Sequence, residues 1–171
     1  PLHAPREARG WRAFVTAQAV GLEVGITIAG RTYRGMTDRG GYVDEVILDP
    51  GLEPGWHEVV ITPAGGRAQA APVMIVGPDV RRGIVSDIDD TVMITVLPRM
   101  MIAFWNTFVR HEQARHIVPG MAPMYRELLD GQEGAPIFYL STGAWNTAPT
   151  LTRFLKRHGY PAGPMLLTDW G

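Results

Sequence analysis

The sequence contains no cysteine among its 171 residues. This absence excludes disulfide bonds, thiolate nucleophiles and cysteine-ligated zinc sites. Long hydrophobic runs are also missing, because no apolar stretch reaches the roughly 18 residues that a membrane-spanning helix requires. There is no excess of charge of either sign, since the formal net charge is −1. A chain so close to neutrality has no overall field that attracts polyanions, and we expect no nucleic-acid partner.

The composition is that of a folded protein, with 46% hydrophobic and 19% charged residues. These values argue against intrinsic disorder. The first five residues, Pro1 to Pro5, lack the basic stretch and apolar run of a signal peptide. We therefore expect a cytoplasmic protein.

The residues before Gly77 and Pro78 have the pattern of β-strands. Apolar side chains at alternate positions from Leu22 to Ile28 follow the period of a half-buried strand. Turns rich in glycine, proline and aspartate separate the apolar runs. The expected strands are 21–28, 32–36, 42–48, 56–61 and 71–76. Short strands with regular turns predict an all-β sandwich domain over residues 1–78.

The pattern changes after residue 78. Short apolar runs at 83–86 and 135–140 are typical of buried parallel strands. Three helices are expected with them, over 97–115, over 121–129, and from a Thr147 cap to His158 with Gly159 as the stop. Strands that alternate with helices predict an α/β domain with a parallel sheet over residues 79–171.

Acidic residues follow the first of these strands, in the run Ser86-Asp87-Ile88-Asp89-Asp90-Thr91. Ligands of open α/β sheets bind at the carboxyl ends of strands, and alternate residues such as Asp87 and Asp89 can face one crevice. A pair of carboxylates at one site suits magnesium-assisted phosphoryl transfer. We predict Asp87 as nucleophile and Mg²⁺ ligand. Asp89 is predicted as general acid and base, and as a second Mg²⁺ ligand through its backbone carbonyl.

The second buried strand ends in hydroxyl side chains, Ser141 and Thr142. A hydroxyl at such a position can hold a non-bridging phosphoryl oxygen. Of the two predicted substrate-binding residues, Ser141 is favoured because it lies at the strand end. Thr91 is grouped with them as a residue that fixes the catalytic loop, and Asp90 is expected to form loop hydrogen bonds.

Other site chemistries do not fit these residues. The Asp cluster has Thr91 at the fifth position and no glycine after it, which excludes an EF-hand. His111 and His116 are five residues apart, whereas the zinc-protease pattern needs four. No Gly-x-Ser-x-Gly elbow surrounds Ser141, so it is not predicted as a triad nucleophile.

The two motifs together resemble the first two signature motifs of the haloacid dehalogenase superfamily. Within it, residues 86–92, 119–121, 139–146 and 163–171 resemble the actin-patch phosphatidate phosphatase family, and lipins are more distant relatives. The N-terminal region is similar to the β-sandwich of bacterial members. The resemblance implies a Rossmann-like haloacid dehalogenase domain. It also implies Mg²⁺-dependent hydrolysis of phosphatidate through an aspartyl-phosphate, with a phospholipid substrate and peripheral membrane contact.

The resemblance further implies a lysine and an acidic Gly-Asp loop after Gly171. We therefore expect residues 79–171 to be the N-terminal half of the catalytic domain. Lys156 cannot replace the missing lysine easily, because it lies within the helix that follows Ser141.

Several alternatives remain open at this point. The substrate could be a soluble phosphomonoester or a phosphoprotein, or the protein could be a non-catalytic adaptor with a degenerate phosphatase domain. Trp145 and Asn146 could line the pocket or serve packing and capping. The apolar stripe of 97–115 could be core or contact lipid, and the cations of 153–158 could complement a helix dipole or bind a headgroup. The oligomeric state is not predicted.

Overall fold

The computed structural model describes residues 18–48, 50–93 and 117–168. This part of the chain is a mixed α/β structure with one antiparallel sheet, one parallel sheet and two α-helices. The elements in chain order are β1 (Glu23–Ile28), β2 (Arg31–Met36), β3 (Gly55–Pro63), β4 (Gln69–Ile75), β5 (Ile84–Asp87), α1 (Met121–Leu129), β6 (Ile137–Ala144), α2 (Ala148–Arg157) and β7 (Met165–Thr168).

The antiparallel sheet has the strand order β2-β1-β3-β4. Its first hairpin turns through Ala29 and Gly30, whose φ angles of 47° and 75° are both positive. This is the turn geometry that matches the twist of a two-residue hairpin. Alternate residues of β1 point into a hydrophobic cluster with Val59 of β3, so the alternation in the sequence did identify the buried face.

The predicted strand over 42–48 is wrong. The segment is irregular, and it packs Val43 and Ile47 against the hydrophobic cluster of the antiparallel sheet. A strand would have turned Glu45 to the same face as these two residues and buried its carboxylate, whereas Glu45 is exposed. Val46 and Leu48 are 84% and 83% exposed. The described residues therefore form a single sheet here, and a sandwich stays a prediction.

The parallel sheet has the order β5-β6-β7. Both helices pack on one of its faces, where the largest fully buried side chains include Tyr139, Ile137 and Leu151. On the strands' other face, Val85, Leu140 and Leu166 are 70%, 36% and 54% exposed. The sheet and its helices have a hydrophobic cluster separate from that of the antiparallel sheet.

The helix predicted over 121–129 is confirmed, and the helix predicted after Thr147 begins at Ala148. Thr147 does not cap it, because this residue ends a short 3₁₀ turn with helical backbone angles, whereas a capping residue needs an extended backbone. Its hydroxyl donates instead to the Ala144 carbonyl at 2.6 Å. The expected stop is found, since Tyr160 N–H bonds to the Leu155 carbonyl in a Schellman ending.

The helix predicted over 97–115, with its apolar stripe and both histidines, lies outside the described residues. No α-helix in the described ranges has the length and apolar character needed to cross a membrane.

Candidate active site

The candidate site lies at the carboxyl edge of the parallel sheet. Asp87 of β5 is paired with Leu140 of β6, and the next N–H along, that of Ile88, donates to the Leu140 carbonyl at 2.8 Å. Parallel strands end at the same edge of a sheet. This register therefore brings Ser141 to the level of the acidic loop that follows Asp87.

Asp89 and Ser141 are in direct contact. The Ser141 hydroxyl donates a hydrogen bond of 2.9 Å to Asp89 Oδ2. The same hydroxyl oxygen accepts a bond of 3.0 Å from the Gly143 N–H. Ser141 is buried, with 7% of its surface exposed. Two residues taken from separate sequence motifs thus share one polar centre.

The environment of Asp89 favours its protonated form. Burial of the carboxyl raises the pKa of Asp89 above its ordinary value, and the negative charges of Asp87 and Asp90 raise it further. The hydrogen bond from Ser141 acts in the opposite direction, because it stabilises the carboxylate. A carboxyl group that holds its proton more readily is suited to donate it to a leaving group.

Asp87 differs from Asp89 in its surroundings. Asp87 is exposed at the end of β5, whereas Asp89 is half-buried. The pair therefore combines one solvent-accessible carboxylate with one that is partly desolvated. The accessible Asp87 carboxylate can reach a phosphorus atom, and the raised pKa of Asp89 suits that carboxyl group to the role of acid.

The loop between these residues has an unusual backbone. Asp90 adopts a positive φ of 59°, a conformation that aspartate tolerates better than most residues. Its N–H donates to the Met93 carbonyl at 2.8 Å. Thr91 is half-buried, and no bond from its hydroxyl to another described residue is seen. The prediction that Thr91 fixes the loop therefore finds no support in the described part of the chain.

Two tyrosines that sequence reasoning missed form hydrogen bonds on either side of this loop, one with Ser86 before it and one with Val92 at its end. The Tyr125 hydroxyl lies 2.7 Å from Ser86 Oγ, and the Ser86 hydroxyl donates to the Asp87 carbonyl at 2.8 Å. Because the single hydroxyl proton of Ser86 is used there, Tyr125 is the donor in their contact. The Tyr160 hydroxyl donates to the Val92 carbonyl at 3.1 Å. Both phenols come from distant positions in the sequence, so no local pattern indicated them.

A third missed residue fixes the loop after β6. The Thr168 hydroxyl donates to the Thr142 carbonyl at 2.6 Å and lies 3.4 Å from the Gly143 carbonyl. Thr142 itself is exposed. Its backbone carbonyl connects it to β7 through the bond from Thr168. Asn146 is half-buried and Trp145 is 38% exposed, in the turn that follows β6.

The described ranges contain no group of three or more histidine, cysteine, aspartate or glutamate residues placed to hold a metal ion. They do contain oxygen donor groups, namely the carboxylates of Asp87, Asp89 and Asp90, the hydroxyl of Ser141, and backbone carbonyls. Carboxylate and carbonyl oxygens are the ligands of hard cations. In chemical terms the site offers an exposed nucleophilic carboxylate, a partly buried acid and a hydroxyl beside it.

Comparison with known proteins agrees with this chemistry. The family described as "Phosphatidate phosphatase APP1, catalytic domain" matches residues 82–171, which is more than half of the chain and includes both site motifs. A search among curated proteins found no match. The protein is therefore a phosphatase, and its chain belongs to the family of APP1-type phosphatidate phosphatase catalytic domains.

Proposed function

We propose that this protein hydrolyses phosphatidate to diacylglycerol and phosphate, with Mg²⁺, through an aspartyl-phosphate on Asp87. The observation that carries the proposal is the hydrogen bond between Ser141 and Asp89. It joins the ends of two parallel strands within the residues that match the phosphatase family. The match supports phosphatidate as the substrate, and the contact supports the roles of the residues.

In the first step, an Asp87 carboxylate oxygen attacks the phosphorus atom. The bond between phosphorus and the glycerol oxygen breaks, and the phosphoryl group is then joined to Asp87. The leaving glycerol oxygen takes a proton from Asp89, whose raised pKa supports its protonated form at the start. The Ser141 hydroxyl turns from Asp89 to a phosphoryl oxygen and orients the group for attack.

In the second step, a water molecule attacks the phosphorus atom of the aspartyl-phosphate. Asp89, now ionised, accepts the proton of that water. The bond between phosphorus and Asp87 breaks, which releases inorganic phosphate and regenerates both carboxyl groups in their starting states. One carboxyl pair thus serves both steps, with Asp89 first as acid and then as base.

The donor set fits Mg²⁺ in part. Mg²⁺ binds through one or two carboxylates and retains several waters, and the Asp87 carboxylate with the Asp89 backbone carbonyl would be its ligands from the described residues. Three carboxylates within four positions also concentrate negative charge that a cation would offset. When bound, the ion would neutralise charge on the phosphoryl group.

We also propose two domains, a β-sandwich over residues 1–78 and a Rossmann-like haloacid dehalogenase domain that includes residues 79–171. Separate hydrophobic clusters support the division, and the parallel order β5-β6-β7 supports the fold of the second domain. We propose as well a cytoplasmic location, with peripheral contact to the membrane that would carry a lipid substrate.

The test uses the full-length protein, dioleoyl-phosphatidate in detergent micelles, and measurement of released phosphate. We expect Mg²⁺-dependent release that chelation abolishes. Asp87→Asn should remove it, because an amide oxygen is a poor nucleophile for phosphorus. Asp130→Asn is the matched control, since Asp130 is exposed at the end of α1 and should retain activity.

Three results would contradict the proposal in different ways. Activity that survives Asp87→Asn would exclude the assigned nucleophile. Activity that survives complete chelation would exclude the metal. Higher kcat/KM for glycerol 3-phosphate or a phosphopeptide than for phosphatidate would assign the soluble substrate instead.

A further inference from the structure

The antiparallel sheet carries a turn whose geometry is fixed by its own hydrogen bonds. The Asp38 carboxylate accepts bonds from the N–H groups of Gly40 and Tyr42, at 2.8 and 2.9 Å. The Asp38 N–H donates to the Tyr42 carbonyl at 2.8 Å. Bonds at both ends of such a short segment leave its backbone little freedom. The turn therefore fixes the backbone position of Tyr42.

Tyr42 contacts Trp145, which lies in the short 3₁₀ turn directly after β6. Its ring lies 6.2 Å from the ring of Trp145, centroid to centroid, at an interplanar angle of 46°. This separation and tilt lie within the range of favourable aromatic pairs. A residue of the N-terminal region thus packs on the segment that follows the strand of Ser141.

Trp145 is close to the phosphoryl-binding hydroxyl along the chain. It is the fourth residue after Ser141, so the two Cα atoms are separated by at most about 14 Å. The backbone between them is fixed, because the Thr168 hydroxyl donates to the Thr142 carbonyl and the Thr147 hydroxyl donates to the Ala144 carbonyl. Trp145 keeps 38% of its surface exposed while it contacts Tyr42. Part of the residue is therefore accessible to a ligand.

We propose that Tyr42 and Trp145 form an apolar wall beside the phosphate site and bind the glyceride part of the substrate. The inference rests on the proposed function, because the wall is assigned to a phosphomonoester that enters at Asp87 and Ser141. An aromatic surface next to an acid-hydroxyl centre matches a ligand with a phosphate at one end and an acyl chain at the other. The N-terminal region then contributes to substrate specificity through Tyr42.

The wall acts on binding of the alcohol portion and not on the chemical step. Its loss should weaken binding of a phosphomonoester that carries acyl chains and leave one without them unchanged. Contact between one aromatic side chain and an acyl chain is worth roughly tenfold in Kd. The contribution of Tyr42 is smaller and arises from holding Trp145 in place.

The experiment measures binding to the full-length protein in an Asp87→Asn background, so that no ligand is consumed. The ligands are dioctanoyl-phosphatidate below its micelle concentration and glycerol 3-phosphate, each titrated calorimetrically. Trp145→Ala should weaken dioctanoyl-phosphatidate binding about tenfold, and Tyr42→Ala should weaken it about threefold. Glycerol 3-phosphate should be unaffected in both. Tyr42→Phe keeps the ring contact and should bind as the background does.

Trp56→Ala is the matched control, because Trp56 is an aromatic residue of β3 that is 45% exposed. It should change neither ligand. Thermal unfolding of each variant identifies any that fails to fold, and Tyr42→Leu, which keeps apolar volume, then replaces Tyr42→Ala.

Three results would contradict the proposed wall. They are unchanged lipid binding in Trp145→Ala, equal weakening of the binding of both ligands, and no lipid binding by the Asp87→Asn background protein. An effect of Trp145→Ala without any effect of Tyr42→Ala and Tyr42→Leu would overturn the role of the N-terminal region. Failure of the proposed function is distinguishable. In that case the wild type releases no phosphate from phosphatidate, while selective loss of lipid binding in the wall variants still supports the contact.

Discussion

The Ser141 hydroxyl and the Asp89 carboxylate are joined by a 2.9 Å hydrogen bond although 52 positions separate them in the sequence. The bond exists because β5 and β6 are parallel neighbours in a register that pairs Asp87 with Leu140. It gives the Ser141 side chain two partners, since its oxygen also accepts from the Gly143 N–H. The phosphate-binding group and the acid-base group are thus coupled before substrate arrives.

Ser141→Ala should lower kcat for phosphatidate about 100-fold, as expected for loss of one preorganised donor to the transition state. It should also reduce the free energy of unfolding by about 1–3 kcal/mol, because the buried Gly143 N–H loses its acceptor. Steady-state kinetics and urea unfolding measure the two effects. Ser141→Thr keeps the hydroxyl and should recover part of both. A Ser141→Ala enzyme with normal kcat would remove Ser141 from the site.

Tyr125→Phe should destabilise the fold by about 1 kcal/mol, because the buried Ser86 hydroxyl loses its donor. Tyr33→Phe is the control. Tyr33 is half-buried on β2, and its substitution should change stability by less than about 0.5 kcal/mol. Urea unfolding of both variants measures the difference. Equal stability of Tyr125→Phe and wild type would show that this phenol does not support the Asp87 strand.

Stability should fall at alkaline pH. Burial raises the pKa of the Tyr139 and Tyr160 phenols, and the nearby Tyr125 adds to both shifts. A folded-state pKa above the unfolded value of about 10 means that the stabilisation is complete below pH 10. It is lost as the pH rises from there through the folded-state pKa, because only the unfolded chain ionises readily.

Urea unfolding between about pH 8 and pH 11 tests this dependence. Tyr139→Phe should give a shallower loss of stability with pH than the wild type, although it starts from a lower value because its bond to the Pro161 carbonyl is gone. The same slope in both proteins would mean that Tyr139 does not contribute to the alkaline transition.

Gly163→Ala should destabilise the protein by about 2 kcal/mol or more, because an added Cβ would overlap the backbone carbonyl of Ile137 in β6. The approach brings the segment before β7 against β6, where the Tyr139 N–H donates to the Pro164 carbonyl at 2.9 Å. Gly25→Ala is the control, since its Cβ would meet only ordinary contacts of 3.6 Å or more. Thermal unfolding that ranks the two variants equally would contradict this account of Gly163.

Local sequence patterns predicted the strands whose apolar side chains lie in a buried cluster. Alternation from Leu22 to Ile28 identified β1, and the apolar run ending at Leu140 identified the buried part of β6. The segment 42–48 misled because its apolar residues between two turns suggested a strand, although a strand would turn Glu45 to the same face as Val43 and Ile47. Strand ends were enough to bring Asp89 and Ser141 together, since parallel strands finish at one edge.

The supporting contacts could not be predicted in the same way. Tyr125, Tyr160 and Thr168 bond to carbonyl or hydroxyl groups 25 to 68 positions away. Such bonds depend on the tertiary packing of helices and strands, which a single sequence does not encode in any local period. The role expected of Thr91 stays a prediction, while the bond from Tyr160 to the Val92 carbonyl is a contact with this loop that the sequence did not indicate.

The central claim is that Asp87 becomes phosphorylated during turnover. The most direct measurement is acid quenching of the full-length Asp89→Asn protein with Mg²⁺ and p-nitrophenyl phosphate, followed by peptide mass spectrometry. The p-nitrophenolate leaving group needs no proton from residue 89, whereas hydrolysis of the intermediate needs its base, so the adduct should accumulate. We predict a phosphoryl group on Asp87 that is absent from the Asp87→Asn/Asp89→Asn protein. No adduct, or an adduct on another residue while phosphate is still released by the wild type, would contradict the account.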